Sequence, residues 1–289
     1  MLAVSKSRAR TPRPRAGTPV ASTYAASLGQ KIVIEPSGAV SPSYARALEA
    51  LRDNGVPFLV GGAVAVAAYC GIRRNTKDLD LFVCQRDATR TLEVLARVGF
   101  RTEATFPHWL SKAYADDLFV DVIFNSGNGE APVDAEWFEN AVPADAFGVP
   151  VAVCPAEETI WSKAFVMERE RFDGADVIHL LLACASTLDW HRLLRRFGAH
   201  SRVLFAHLVL FGYVFPGEPG RIPRWVMDEL SARTEADVTG DSRICRGTML
   251  SREQYLPDLM RGWRDARLPP TGSMSTEAIA LWTSAIERH

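Results

Sequence analysis

Cysteine is scarce in this sequence, and the spacing of the few cysteines counts against two common roles. The 289 residues contain five cysteines, an odd number, and no Cys-x-x-Cys pair. The pattern therefore indicates neither a disulfide framework nor a zinc ribbon. The five are Cys70, Cys84, Cys154, Cys184 and Cys245. We expect a protein of the reducing cytoplasm.

Long hydrophobic runs are also lacking. The most apolar helical stretch, residues 203–215, is about thirteen residues long and includes His207, whereas a membrane-spanning helix needs roughly twenty apolar residues. The N-terminus has no continuous apolar segment of the kind found in secretory signals. We expect neither membrane association nor secretion.

The sequence has almost no net charge, but the charge is unevenly distributed. The formal net charge is -1, and five basic residues lie among the first fifteen, so the rest of the chain carries about -6. An acidic body binds nucleic acid poorly unless it has a local basic groove. Residues 1–30 are rich in Ser, Thr, Pro, Ala and Arg and have no apolar periodicity, which predicts a disordered basic arm.

Hydrophobic periodicity divides the remaining chain into an α/β part and a helical part. Strands are predicted at residues 58–60, 79–83, 102–105, 109–114 and 118–124, with helices at 44–53, 63–69 and 86–98. Beyond Pro155 we predict only helices, at 157–169, 175–185, 190–197, 202–211, 225–232 and 276–286. The fold class is α/β (α+β), with one domain at residues 31–150 and a helical domain at residues 151–289.

A glycine pair stands between a buried strand and the start of a helix. Gly61-Gly62 follows the apolar residues 58–60 and precedes the small side chains of residues 63–69. Glycines there let a phosphate approach the backbone N–H groups at the helix start. Such a pair alone usually marks only a turn, but the cations Arg73, Arg74 and Lys77 follow closely. The combination favours a polyphosphate site.

Two aspartates, Asp78 and Asp80, lie on one predicted strand. Side chains alternate along a strand, so both carboxylates point to one face while Leu79 and Leu81 point into the packing. Carboxylates about 7 Å apart repel each other unless a cation lies between them. Oxygen ligands that need charge compensation favour Mg²⁺. The alternative is a solvated pair at a strand end.

A third aspartate, Asp121, interrupts the apolar strand predicted at residues 118–124. A buried carboxylate is costly unless it is paired or bound to a metal. Phosphoryl chemistry with two metal ions needs further ligands and a base for the attacking hydroxyl. Asp121 is the candidate for that third position.

The glycine pair, the run Arg-x-Thr-x-Asp-x-Asp and the later aspartate together resemble the nucleotidyltransferase superfamily, which includes DNA polymerase beta, aminoglycoside nucleotidyltransferases and nucleotidyltransferase toxins. The run is most similar to that of the small bacterial nucleotidyltransferase-like proteins and the toxins. The resemblance covers residues 57–124, under a third of the chain. It is carried by Gly61, Gly62, Arg74, Thr76, Lys77, Asp78, Asp80 and Asp121.

The resemblance implies a small mixed sheet flanked by helices and transfer of an NMP from an NTP to an acceptor hydroxyl, with release of pyrophosphate. Gly61 and Gly62 would hold the triphosphate. Asp78 and Asp80 would bind two Mg²⁺ ions, and Asp121 would complete the metal site facing the acceptor.

Further nucleotide-binding roles are implied for residues near this motif. Thr76 would brace the loop, Arg74 would contact phosphate or the protein itself, and Lys77 would belong to the nucleotide site. The chain departs from the commoner superfamily pattern in having Gly-Gly where many members have Gly-Ser. The missing hydroxyl would affect affinity more than fold.

The segment at residues 157–181 resembles the helix pair that follows the catalytic sheet in such proteins. Lys163 occupies the position of a lysine that faces the nucleotide phosphates in relatives, and the alternative is a lysine that faces solvent. Arg169, Arg171, Asp173 and Asp176 are equally well explained as a salt-bridged pair of helix ends.

Histidines and a polar loop are weaker candidates. His108 precedes a strand near the predicted site, but a loop histidine is often incidental. His200 and His207 have no carboxylate at ligand spacing, so zinc is not expected. The loop that contains Asp241, Arg243, Arg246 and Arg252 is either a contact for the acceptor or a solvated loop.

Three functions are open at this stage. The first is a Mg²⁺-dependent nucleotidyltransferase, the second a nucleotide-binding regulatory module without turnover, and the third a toxin-type transferase that modifies tRNA or protein. The acidic body favours a small molecule or protein acceptor, although a groove formed by Arg73, Arg74, Lys77 and Lys163 could admit an RNA end. The acceptor is not determined by the sequence.

Overall fold

The computed structural model describes residues 32–34, 41–72, 74, 78–115, 118–236 and 243–286. The predicted disordered arm at residues 1–30 lies outside them. The strands are β1 (Ile32–Ile34), β2 (Leu59–Val60), β3 (Asp78–Phe82), β4 (Arg101–Phe106), β5 (Leu110–Ala115), β6 (Leu118–Ile123), β7 (Val142–Ala146), β8 (Val149–Val153), β9 (Ile244–Cys245) and β10 (Arg264–Asp265). The helices are α1 (Ser41–Asp53), α2 (Gly62–Cys70), α3 (Ala88–Arg97), α4 (Ala135–Glu139), α5 (Ala156–Ala164), α6 (Gly174–Cys184), α7 (Trp190–Phe197), α8 (Ser201–Val214), α9 (Arg224–Ala236), α10 (Leu256–Met260) and α11 (Thr276–Ser284).

Within the described residues, the main sheet has eight strands in the order β1-β7-β8-β2-β3-β6-β5-β4. Strand β3 is parallel to β6 and antiparallel to β2, and β5 is antiparallel to both β4 and β6. The predicted mixed sheet with flanking helices and a helical C-terminal part is therefore confirmed. The sheet continues to Val153, a few residues past the domain boundary expected near residue 150.

One face of the central strands is closed by two helices. Leu79 and Leu81 of β3, with Val120 and Val122 of β6, are fully buried in a cluster that includes side chains of α1 and α3. Burying a side chain of this size stabilises a fold by about 1.5–3 kcal/mol. The alternation along β3 and β6 then turns every second side chain to the opposite face, as the sequence predicts.

Strands β7 and β8 are absent from the sequence prediction. Each contains a proline, Pro143 and Pro150, and proline counts against a strand because it cannot donate a backbone hydrogen bond. The two strands form an antiparallel hairpin. Phe147 and Gly148, which connect them, both have positive φ angles of 55° and 78°, as a tight turn of the primed type requires.

The first helix of the C-terminal part is shorter than predicted. The prediction of a helix at residues 157–169 is wrong in its C-terminal half, because α5 ends at Ala164. The chain turns back through an isolated bridge between Met167 and Phe172, and the Asp173 N–H donates to the Val166 carbonyl (3.1 Å). Those backbone groups are therefore bonded across the turn instead of along a helix.

The stretch Trp190–Val214 is, by length and composition, long and apolar enough to cross a membrane. It comprises α7, a short 3-10 turn at Gly198–His200, and α8. Core helices of soluble proteins pass the same test, and Leu193, Leu204 and Phe211 of this stretch are buried in the main core.

Candidate active site

Three carboxylates meet on the face of the sheet opposite α1 and α3. Parallel pairing of β3 with β6 sets Asp80 directly beside Asp121, and Asp78 lies on the same face two residues earlier. One oxygen of each carboxylate can be chosen so that all three atoms lie within 4.8 Å of one another. The sheet thus brings together the three aspartates that the sequence indicates.

The electrostatics of this cluster favour a bound cation. Burial, together with the charges of Asp78 and Asp121, raises the pKa of Asp80 to about 7. Burial also raises the pKa of Asp121, although the Lys112 ammonium opposes that shift. Three acidic groups with only oxygen donors suit Mg²⁺, and a divalent cation among them would remove the repulsion between their charges.

Lys112 is a site residue that the sequence analysis missed. Its Nζ lies 2.7 Å from Asp121 Oδ1 and 4.4 Å from the centre of the Phe119 ring. The hairpin of β5 and β6 pairs Ala115 with Leu118 and, three residues farther, Lys112 with Asp121. If a tight hairpin had been assumed between these two strands, the sequence alone would have placed Lys112 opposite Asp121.

The glycine pair is required by the side chains opposite it. The Gly61 N–H donates to the Asp80 carbonyl (2.9 Å), and a Cβ atom at Gly61 would overlap the Phe82 ring. Gly62, with a φ of +54°, is the first residue of α2, and a Cβ there would overlap the Asp80 carboxylate. The backbone N–H groups of the first turn of α2 therefore lie beside the acidic cluster.

Lys163 lies near the acidic cluster but is held by two carboxylates. Its Nζ lies 2.8 Å from Asp173 and 2.9 Å from Asp176. Burial lowers the pKa of Lys163, but the two carboxylates outweigh burial and raise it. The charge of Lys163 also acts on Asp80, so the lysine contributes a positive potential to the site from a fixed position.

We expect the variant Lys163→Met to be destabilised. The side chains of Lys163, Asp173 and Asp176 are only 14%, 11% and 5% exposed, and removing one member of a buried ion pair costs about 3–5 kcal/mol. The loss should lie near the lower limit, because Arg171 still contacts Asp173 and Arg74 still contacts Asp176. Urea unfolding at pH 7 measures this difference.

The same variant has a control and a pH dependence. Arg224→Met, which removes an ion pair whose partners are 93% and 67% exposed, should change stability by less than about 1 kcal/mol.

Hydrogen bonds from Arg171 and Lys163 outweigh burial and lower the pKa of Asp173 to about 2, against about 3.9 when unfolded. The stabilisation from Asp173 is present above pH 4 and disappears as the pH falls toward 2, so the wild type and Lys163→Met should converge there. Equal losses in the two variants at pH 7 would contradict the buried-pair assignment.

Arg171 is a second residue whose place in the site the sequence analysis missed. It donates two hydrogen bonds of 3.0 Å to Asp173. This hydrogen bonding raises the pKa of Arg171, and the charges of Asp80 and Asp78 raise it further. The turn at residues 165–173 therefore presents a guanidinium, oriented by Asp173, toward the acidic cluster.

Of the three clustered aspartates, Asp80 lines a cleft of about 800 Å³. Its lining includes Gly62, Asp80 and Phe82, and the cations Lys163 and Arg171. Trp109 and residues of the C-terminal part, including Arg252 and Trp282, line the same cleft. This volume is typical of small-molecule sites.

Other predicted candidates lie elsewhere. Arg74 contacts Asp176 rather than the aspartate cluster, and Thr76 and Lys77 lie outside the described residues, as do Arg73 and Asp241. His200 lies 3.1 Å from Glu130, and His207 is bonded to the Ala164 carbonyl. The His108 ring contacts the Gly127 carbonyl (3.2 Å).

Comparison with known proteins identifies the family. Residues 38–211 match the model of a family described as uncharacterised nucleotidyltransferases, which is more than half of the chain. No curated protein sequence matches the chain.

Several solved structures are similar at low identity. The antibiotic-resistance factor ANT(2'')-Ia is 20% identical, with a TM-score of 0.38 over 59% of this chain and 95% of its own. The lincosamide antibiotic adenylyltransferase LnuA is 13% identical, with a TM-score of 0.36 over 48% of this chain and 94% of its own. JHP933 from Helicobacter pylori is 12% identical, with a TM-score of 0.35 over 67% of this chain and 93% of its own.

Proposed function

Because the chain belongs to the family of uncharacterised nucleotidyltransferases, and is therefore an enzyme of nucleotidyl transfer, we propose that it transfers an NMP from an NTP to an acceptor hydroxyl and releases pyrophosphate. The observation that carries this proposal is the meeting of Asp78, Asp80 and Asp121 within 4.8 Å on one sheet face. Those carboxylates stand directly beside the glycine start of α2.

Asp78, Asp80 and Asp121 would hold Mg²⁺. When bound, Mg²⁺ offsets charge on the phosphate oxygens and makes the attacking hydroxyl more acidic. The fit rests on the donor set, which consists only of carboxylate oxygens, and on the burial and mutual repulsion that raise the pKa of Asp80. We propose the two-ion form because three carboxylates converge.

The chain's own residues would divide the remaining work between two sides of the cleft. The first N–H groups of α2, which have no partners within the helix, would bind phosphate oxygens beside Gly62. Lys163 and Arg171 add positive charge on that side. On the other side, Asp121, oriented by Lys112, would accept the proton of the acceptor hydroxyl as its oxygen bonds to the α-phosphorus and the bond to pyrophosphate breaks.

The experiment combines the purified chain with MgCl₂ and each of four α-labelled NTPs, in the presence of small-molecule, protein and RNA fractions of a cell extract. We expect label in one fraction and pyrophosphate from one or more NTPs, with both signals lost when EDTA removes the metal. Absence of NTP binding and of pyrophosphate with every NTP would overturn the proposal.

Two alternatives predict different results in this assay. A non-catalytic module, which the missing serine hydroxyl beside Gly61 leaves open, would bind NTP without releasing pyrophosphate. A toxin-type transferase would label tRNA or protein, and its expression would arrest growth unless Asp80 were replaced.

We also propose a cytoplasmic location. All five cysteines are free thiols, which suits a reducing compartment, and NTPs and Mg²⁺ are both supplied there.

A further inference from the structure

Two tryptophans of the cleft, Trp109 and Trp282, form an aromatic wall. The rings of Trp109 and Trp282 meet edge to face, with centroids 6.5 Å apart at 66°, and both line the cleft that contains Asp80. Phe106 stacks on Trp109 (5.7 Å, 15°), and the Arg252 guanidinium lies 5.7 Å from the centre of the Trp282 ring. These contacts hold both rings in place.

Strand β6 leads from the acidic cluster to the aromatic wall. Asp121 and Ile123 are two residues apart on one face of β6, and Ile123 and Asn125 both line the cleft. The Phe124 N–H donates to the Trp109 carbonyl (3.0 Å), which fixes Trp109 beside the end of the strand. Since two residues of a strand span about 7 Å, the wall begins about 7–13 Å from Asp121. A small molecule can span that distance.

Part of the cleft lining, including Trp282 of the wall, comes from residues that the family match does not include. The match ends at residue 211, and the cleft residues beyond it are Met249, Leu250, Arg252, Glu253, Gln254, Trp282, Ala285 and Ile286. Gly62, Asp80, Lys163 and Trp109 lie inside the match, whereas Trp282 and the other C-terminal residues of the lining lie outside it. Such a division is expected where a shared reaction is combined with a particular acceptor.

On this basis, and resting on the proposed nucleotidyl transfer, we propose that the aromatic wall binds the acceptor and that the acceptor is a small molecule with an apolar ring. The faces of Trp109 and Trp282 suit a ring, because aromatic contacts supply large apolar area with defined geometry.

The charges around the wall disfavour a nucleic acid. Glu170 and Glu253 line the cleft and would face a phosphate backbone. Of the three arginines that line the cleft, Arg252 is paired with Glu168 (3.4 Å) and Arg171 is bonded to Asp173, which leaves Arg169. A strand of RNA binds through cations that follow its backbone, and this wall does not provide such a track within the described residues.

The test uses ligand-observed saturation-transfer NMR on the full chain, with three ring-bearing alcohols as probes: phenethyl alcohol, naphthalene-ethanol and cyclohexylmethanol. We expect saturation of their ring protons by the wild type and none of erythritol, an acyclic alcohol. Trp282→Ala should weaken probe binding about tenfold, whereas Trp282→Phe should retain most of it. Trp225→Ala is the matched control, since Trp225 is 42% exposed and stacks on His191 away from the cleft.

Competition decides what the wall binds, even if Trp282→Ala fails to fold. MgATP and tri-uridylate should leave the ring signals of the wild type unchanged. Complete displacement by ATP would assign the wall to the nucleotide, and displacement by tri-uridylate would assign it to RNA. Either result, or the absence of ring signals, would overturn the inference.

The inference and the proposed function fail in different ways. Pyrophosphate release without ring binding would contradict the aromatic acceptor site alone. Ring binding without pyrophosphate release would contradict the proposed transfer and leave only a binding surface for rings. Asp80→Asn separates the two, because it should retain ring binding while it abolishes transfer.

Discussion

Asp80→Asn is expected to abolish nucleotidyl transfer, by about a thousandfold or more, in a chain that remains folded. Asparagine has the same shape as aspartate but removes one charge from a cluster of three carboxylates within 4.8 Å of one another. Without metal the variant should therefore unfold at a higher temperature than the wild type, because the repulsion is smaller.

Added MgCl₂ provides a readout of this site that does not depend on the acceptor. A ligand that binds only the folded state raises its stability with concentration, so Mg²⁺ should raise the melting temperature of the wild type and have little effect on Asp80→Asn. Asp145→Asn is the control, since Asp145 lies on β7 of the same sheet, outside the cluster. It should leave transfer and the Mg²⁺ response unchanged.

Two results would contradict this assignment of Asp80. One is an Asp80→Asn variant that retains transfer at the level of Asp145→Asn. The other is an equal response of the wild type and Asp80→Asn to Mg²⁺, which would place the ion elsewhere.

Gly62→Ala is expected to have the second largest effect, a loss of stability together with a loss of transfer of about a hundredfold. A Cβ atom at this position would overlap the Asp80 carboxylate, so the side chain that would hold the metal must move. The positive φ of Gly62 adds roughly 1 kcal/mol of backbone strain. Thermal unfolding and the pyrophosphate assay measure the two losses separately.

Gly71→Ala is a close control, because Gly71 ends the same helix with a φ of +69° and has open space where a Cβ would be. It should show the backbone strain alone and retain transfer. In the Gly62→Ala background, Asp80→Ala should recover stability without recovering transfer, since it removes the overlapping carboxylate. A Gly62→Ala variant as active as Gly71→Ala would show that the overlap is relieved without moving Asp80.

Local patterns were sufficient for much of the fold. The alternation of charged and apolar residues at positions 78–82 predicts one buried face and one acidic face, and Leu79 and Leu81 are fully buried. The α7 helix has the predicted bounds, Trp190–Phe197. Strands β7 and β8 could not be predicted in this way, because Pro143 and Pro150 oppose strand formation locally and pairing in the sheet overrides that preference.

The sequence by itself determined which chemistry this protein carries, because the glycine pair and the Asp-x-Asp strand are local patterns whose geometry follows from one helix start and one strand. The sequence also pointed to Asp121, but only the tertiary structure decided how the distant groups meet. The register of β3 on β6 sets Asp121 beside Asp80, the register of β5 on β6 sets Lys112 beside Asp121, and the packing of α11 brings Trp282 to Trp109. The contacts of Asp80 with Asp121 and of Trp109 with Trp282 join residues far apart along the chain, and they are selected by the packing of the whole core. Lys112 and Asp121 meet across one hairpin, and there the register of the two strands decides the contact.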